Sequence, residues 1–255
     1  MDYLTTVHTD IGIKKNTNQD SVLVEQAFTD YGSVVLGVIC DGMGGLAKGE
    51  VASAALIRAF GDWFHYDFPK LLYQGLDLSA ISESWTELIR KNNEKIAEYG
   101  NALHISLGTT VTALLLVEGA YYIVNVGDSR VYLLNRELKL LTKDQTVVQR
   151  EIDLGNITPA EAATHPQRNV LLQCIGASAV VQPDFYEGSY AEGDMFMICS
   201  DGFRHVITEQ EIYDKLNPYV LTTEDQMKEA AADLTELNKS RNETDNISVS
   251  LIRVS

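Results

Sequence analysis

The chain has 255 residues, 45% of them hydrophobic and 22% charged, a balance that suits a folded globular protein with ample core material. Its 20 lysines and arginines face 36 aspartates and glutamates, a formal net charge of −16. Such a surface repels nucleic acid and anionic lipid, so neither nucleic acid nor membrane is expected as a partner. The cysteines Cys40, Cys174 and Cys199 form no CxxC pair, which fits a reducing cytosol and offers no zinc cluster. The start MDYLTTVHTD is no signal peptide, and no run approaches the roughly 18 apolar residues of a spanning helix. A cytoplasmic location is expected.

No linker, repeat or low-complexity tract interrupts residues 1–255, so a single domain is expected. Val34–Cys40 is a short apolar run rich in β-branched residues and predicts a buried strand. Helical spacing follows in Val51, Ala55, Leu56, Ala59, Phe60 and Trp63, and again in Ile81, Trp85, Leu88, Ile89, Asn92 and Ile96, which makes both tryptophans core. Thr110–Glu118, Tyr121–Val126, Arg130–Asn135 and Leu138–Leu141 are β-prone with very short connections, which predicts an antiparallel meander. Asp144–Ala163 returns to helix, with Thr158, Pro159 and Glu161 set as N-cap, first helical proline and capping-box partner. A strand at Asp194–Ser200, a short helix from Thr208, a long helix near Thr223–Ser240 and an alternating strand Asn246–Val254 complete the chain. Clustered strands and paired helices point to antiparallel sheets covered by helices.

Four aspartates share one local design, an acid at the end or start of an apolar strand: Asp41, Asp128, Asp201 and Asp245. Taken singly, each is better read as ordinary turn chemistry, of which Asp-Gly is the commonest short signal. Gathered together, such carboxylates repel one another unless protons or cations intervene. Oxygen donors without His or Cys favour hard cations, Mg²⁺ or Mn²⁺. The cysteines carry no Cys-x5-Arg phosphatase loop, since Leu46, Val180 and His205 stand six residues after them.

The ordered set Thr9-Asp10-Ile11-Gly12, Asn18-Gln19-Asp20, Asp41-Gly42-Met43-Gly44-Gly45, Gly49-Glu50, Gly108-Thr109-Thr110, Val126-Gly127-Asp128-Ser129-Arg130, Cys199-Ser200-Asp201-Gly202 and Asp245-Asn246 resembles the protein phosphatase 2C (PPM) family across almost the whole chain. His165-Pro166-Gln167-Arg168-Asn169 is similar to its bacterial, free-standing members. The resemblance implies an α+β fold: a four-layer αββα sandwich of two antiparallel β-sheets flanked by helices, with a small flap subdomain at about residues 144–168. It implies hydrolysis of phosphoserine and phosphothreonine in proteins at a centre of two Mn²⁺ or Mg²⁺ ions, with a third in many bacterial members. Asp41 would bridge two cations and the Gly42 carbonyl would hold one; Asp201 and Asp245 would complete the other, and Asp20 would reach the site through water. Asp128 with Asp201 would hold the third. Asp41, Asp201 and Lys15 would carry the catalysis. The implied partners are phosphoprotein substrates, a serine/threonine kinase and its targets, with the enzyme a monomer.

Four positions stand apart from the wider family pattern. Lys15 stands where the family usually has a phosphate-binding arginine, keeping the charge but losing the bidentate fork. Met43 replaces the histidine of eukaryotic members, and Leu46 and Gln145 replace histidines of many bacterial ones. Two alternatives follow: a phosphoprotein-binding module with weak turnover, and a phosphatase of anti-sigma-antagonist proteins, which usually carries sensor domains for which this chain has no room. Of the histidines, His205 after the Asp201 turn is the one to weigh as a proton donor.

Overall fold

Strands with apolar side chains on both faces need covering twice, and that requirement builds the molecule. In the computed structural model, which describes residues 1–43 and 48–255, the run Val34–Cys40 is fully buried. Val34, Leu36, Val38 and Cys40 pack against helices, while Val35 and Ile39 pack against a second sheet. Gly44, Gly45 and Leu46 lie outside the described residues.

Among those residues the elements run β1 (Tyr3–Asp10), β2 (Ser21–Thr29), β3 (Gly32–Cys40), α1 (Gly49–Tyr66), α2 (Phe68–Gln74), α3 (Leu78–Leu103), β4 (Val111–Val117), β5 (Ala120–Val126), β6 (Arg130–Leu134) and β7 (Leu138–Leu140). They continue with α4 (Val147–Asp153), α5 (Pro159–Ala163), β8 (Asp184–Ser189), β9 (Met195–Cys199), α6 (Asp201–Arg204), α7 (Glu209–Lys215), α8 (Glu224–Ser240) and β10 (Ile247–Val254). Sheet I has the order β2-β3-β4-β5-β8 and sheet II the order β1-β10-β9-β6-β7, each five-stranded and antiparallel throughout. Helices α1 and α3 cover sheet I through Leu56, Phe60, Trp63, Trp85 and Ile89. Helices α6, α7 and α8 cover sheet II through Phe203, Ile212, Met227 and Leu234. The α+β sandwich of four layers is borne out, and both tryptophans are core at 2% and 0% exposure.

The expected meander needs correction. β4 and β5 do form a hairpin across Glu118-Gly119, and β6 and β7 pair with each other. Yet β5 belongs to sheet I and β6 to sheet II, so Gly127-Asp128-Ser129 carries the chain from one sheet to the other. Gly127 makes this possible: its φ is 118°, and a Cβ there would sit 2.5 Å from the Thr110 side chain. Three strands escape the sequence reading, β1, β2 and β8, as do the short helices α2 and α6. All three strands lie at sheet edges, where mixed exposure blurs the alternation. The Asp144–Ala163 segment is two short helices, and Thr158 and Glu161 form the expected capping box. No helix among the described residues is long and apolar enough to cross a membrane.

Candidate active site

Strand register sets the site. Ser21 faces Cys40 across β2 and β3, which puts Asp20 beside Asp41 at one end of sheet I. Cys199 faces Val249 on one side and Arg130 on the other, which puts Asp201 between the loops carrying Asp245 and Asp128 at an end of sheet II. The crossover through Asp128 joins the two groups. All the acids singled out from the sequence are thereby brought to one edge of the sandwich.

Each is held by its backbone. The Asp41 N–H donates to Thr110 Oγ1 (3.0 Å), and its carbonyl accepts from the Thr110 N–H (2.8 Å) and Thr109 Oγ1 (2.9 Å). The Gly42 N–H donates to the Gln19 carbonyl at 3.1 Å. A Cβ on Gly42 would lie 2.5 Å from that oxygen and 2.6 Å from the Gly49 carbonyl, so no side chain fits without moving backbone. Gly42→Ala should therefore cost about 1–3 kcal/mol of stability, read as a lower urea midpoint. Displacing Asp41 by about an ångström should also lower turnover roughly 10²-fold. Turnover unchanged in a folded Gly42→Ala protein would contradict this.

On the sheet II side, Asp201 opens α6 and Asp245 precedes β10. Asp245 Oδ1 accepts from the Asn246 N–H (2.9 Å) and meets Lys15 Nζ at 2.9 Å. The side chain of Asn246, quoted in the motif but given no role there, pins the loop that carries Lys15. Its Nδ2 donates to the Ile11 (2.9 Å) and Thr17 (3.3 Å) carbonyls, and its Oδ1 accepts from the Gln19 N–H at 2.9 Å. The Asp128 carbonyl accepts from Arg204 Nη2 (2.9 Å), and Arg204 shares Asp144 with Arg130, whose guanidinium grips it at 2.8 Å through two nitrogens. Sequence reasoning missed Arg204. Gln145 is fully engaged: its Oε1 accepts from the Gly127 N–H (3.1 Å) and Gln173 Nε2 (2.8 Å), and its Nε2 donates to Asp184 Oδ2 (2.8 Å).

The acids disturb one another. Burial pushes the Asp20 carboxyl up to about 7, with Asp201 and Asp245 adding to the rise and the hydroxyls of Ser248 and Ser200 opposing it. Asp41 is driven well above the carboxylate range by burial and by Asp20, Asp201, Asp128 and Asp245. Asp128 rises to about 7 through burial and the Asp201 charge, against the pull of Arg204. For Lys15, burial works against its charge, yet Asp245, Asp41 and Asp201 outweigh it and raise the ammonium. Oδ1 of Asp201 is buried with no hydrogen-bond partner among the described residues, and the Asp20 oxygens meet at most the hydroxyls of Ser248 and Ser200, outside good hydrogen-bond geometry. Orphaned carboxylate oxygens in a common negative field are what a hard divalent cation would satisfy. No three of these acids close into a finished cage among the described residues; what they share is the field. Beside them opens a cavity of about 770 Å³, bounded by α4, α5 and Arg168 on one side and by Asp128, Arg204, His205 and Asp245 on the other.

The sequence pattern of the family described as protein phosphatase 2C matches residues 13–238. The chain belongs to the protein phosphatase 2C family. It is 33% identical over 250 residues to a putative protein phosphatase 2C-type of Streptococcus pyogenes, covering 97% of this chain and 96% of that one. The serine/threonine phosphatase of S. agalactiae superposes with a TM-score of 0.84 at 32% identity, covering 100% of both chains. The catalytic domain of the phosphatase PstP, in a complex with two manganese ions, superposes with a TM-score of 0.79 at 29% identity over 99% of both. The resemblance read from the motifs is thus borne out, and with it the enzyme class, a protein-serine/threonine phosphatase of a metal-dependent family.

Proposed function

We propose that the chain hydrolyses phosphoserine and phosphothreonine in proteins with divalent cations, Mn²⁺ or Mg²⁺, held by Asp41, the Gly42 carbonyl, Asp201 and Asp245, with Asp20 and Asp128 completing a centre of two or three ions. The observation that carries this reading is the set of buried, mutually perturbed carboxylates with orphaned oxygens at one edge of the sheets. When bound, the cations would supply Lewis-acid neutralisation of the phosphoryl oxygens and a water activated near neutral pH. The rest falls to side chains. Thr109 and Thr110 fix Asp41 from behind, so that its carboxylate needs no reorganisation. Lys15 offers a single ammonium to a phosphoryl oxygen, and residues 144–168 wall the cleft in which the phosphorylated segment lies.

On this reading residues 1–255 work as one catalytic domain, a monomer that acts in the cytoplasm opposite a serine/threonine kinase, on the kinase or its targets. The three buried, free cysteines support a reducing compartment. The deciding experiment is phosphate release from a phosphothreonine peptide by metal-stripped protein titrated with Mn²⁺. Saturable Mn²⁺-dependent turnover is expected; folded protein that binds Mn²⁺ without turnover would refute catalysis.

One observation favours a second reading, a phosphoprotein-binding module with weak turnover: Lys15 is tied to Asp245 at 2.9 Å and lacks the fork that grips phosphate at two points. Weak turnover by folded, metal-loaded protein would favour this second reading, and Lys15→Arg tests the part the lysine plays. Equal or higher turnover, with a lower KM for peptide, is expected of an enzyme whose phosphate grip is merely loosened. A large loss would show that the lysine itself is required.

A further inference from the structure

Glu243 is a buried carboxylate, 5% exposed, to which the chemistry above gives no task. It lies in the turn between α8 and β10, two residues before Asp245. Its Oε1 accepts from the backbone N–H groups of Thr244 (2.7 Å) and Asp245 (2.9 Å). Its Oε2 faces His205 Nδ1 at 3.5 Å, and His205 Nε2 lies 3.4 Å from Asp201 Oδ2. An unbroken line of contacts therefore runs from the Asp245 backbone through Glu243 and His205 to the Asp201 carboxylate. Both ends stand on α8 through one buried residue: the Asn238 carbonyl accepts from the Glu243 N–H (3.1 Å), and Asn238 Nδ2 donates to the Phe203 carbonyl at 2.8 Å.

We infer that Glu243 and His205 form a brace that sets the separation and orientation of Asp201 and Asp245, making both positioning residues for the cation those two acids share. The inference rests on the reading of Asp201 and Asp245 as ligands of one cation. The two acids come from different elements and repel each other, so without a spacer the cation itself would have to draw them together on binding. A ring held between Asp201 and Glu243 settles that geometry in advance. Partners of this kind behind metal-bound carboxylates and imidazoles orient the ligands and tune the affinity. The same contacts leave His205 with a carboxylate against each ring nitrogen, so its side chain is engaged as a strut and not directed freely into the cleft.

The test is Mn²⁺ binding by calorimetry to chelator-stripped protein, beside the unfolding midpoint without cation. His205→Ala and Glu243→Ala should weaken Mn²⁺ affinity about tenfold, the effect usual for losing such a partner, while the cation-free protein stays folded. Glu243→Gln, which keeps an oxygen for both backbone N–H groups, should stay within about threefold of the unaltered protein. Should His205→Ala fail to fold, His205→Gln takes its place and should lose affinity in the same direction. Folded His205 and Glu243 variants that bind Mn²⁺ as tightly as the unaltered protein overturn the brace alone. Unaltered protein that binds no Mn²⁺ overturns the ligand reading, and the brace with it.

Discussion

Asp41→Asn is expected to cut phosphopeptide turnover by about 10³-fold or more while leaving the cation-free protein at least as stable as before. Asparagine matches aspartate in shape, so the hydrogen bonds that the backbone of residue 41 gives to Thr110 Oγ1 and accepts from Thr109 Oγ1 survive. What disappears is the charge. If cations at this edge supply about 4 kcal/mol of transition-state stabilisation, of the several available to such centres, their loss is worth about three powers of ten at 1.36 kcal/mol each. Stability moves the other way. Burial and four neighbouring acids hold the Asp41 carboxyl well above its usual range, so its ionised form is a liability of the folded state. Single-turnover assays with Mn²⁺ and thermal unfolding with chelator check the two halves separately. Turnover within tenfold of the unaltered protein would remove Asp41 from the centre.

The second large effect is on stability itself. With chelator present, the unfolding midpoint should fall as pH rises from about 5.5 to 8. Asp20 and Asp128 ordinarily ionise near 3.8, but in the folded protein they hold their protons to about 7. Between those values the folded chain binds more protons than the unfolded one, so stability is complete at the acid end and is lost as pH climbs through 7. Each pKa unit is worth about 1.36 kcal/mol. Because the two groups share one field, a combined loss of about 3 kcal/mol is reasonable, or roughly 6–12 °C for a chain of this size. Mn²⁺ added at pH 8 should restore most of that drop by replacing the protons as counter-charge. Asp20→Asn should flatten the pH dependence in chelator, which separates this site from the general repulsion of a chain carrying −16. A midpoint indifferent to both pH and Mn²⁺ would show that the acids do not share a field.

Much of this was readable in the sequence, for local reasons. Val34–Cys40 is apolar on both faces because it is covered on both, and such runs announce themselves. The turn at Glu118-Gly119 and the box at Thr158 are written in residues that touch each other. β1 and β2 are different: threonines in the one, and Glu25 and Gln26 beside Phe28 in the other, on half-exposed edge strands pattern neither as core nor as surface. Gly127-Asp128-Ser129 misled because a short loop between two β-prone runs ordinarily closes a hairpin, and nothing local says that the next strand joins another sheet. The aspartates were found by context and family likeness, but their convergence depends on strand register, which no single motif encodes. Glu243 gave no signal at all, and His205 stood out only by its place after the Asp201 turn, as a proton donor; their pairing appears only when the turn after α8 meets the end of α6.

The pairing of β1 with β10 has a consequence for how the molecule assembles. Tyr3 lies opposite Val254 and Asp10 opposite Ile247, with β10 inserted between β1 and β9. The first strand therefore has no neighbour in its sheet until nearly the last of the described residues have left the ribosome. Sheet I, with its hairpins, can form early, whereas sheet II waits for a closure between distant parts of the chain, the slow kind of step. Asp245 arrives on that same late segment. A nascent or prematurely terminated chain can hold half a sandwich, but it cannot hold the full set of acids that the finished fold brings together.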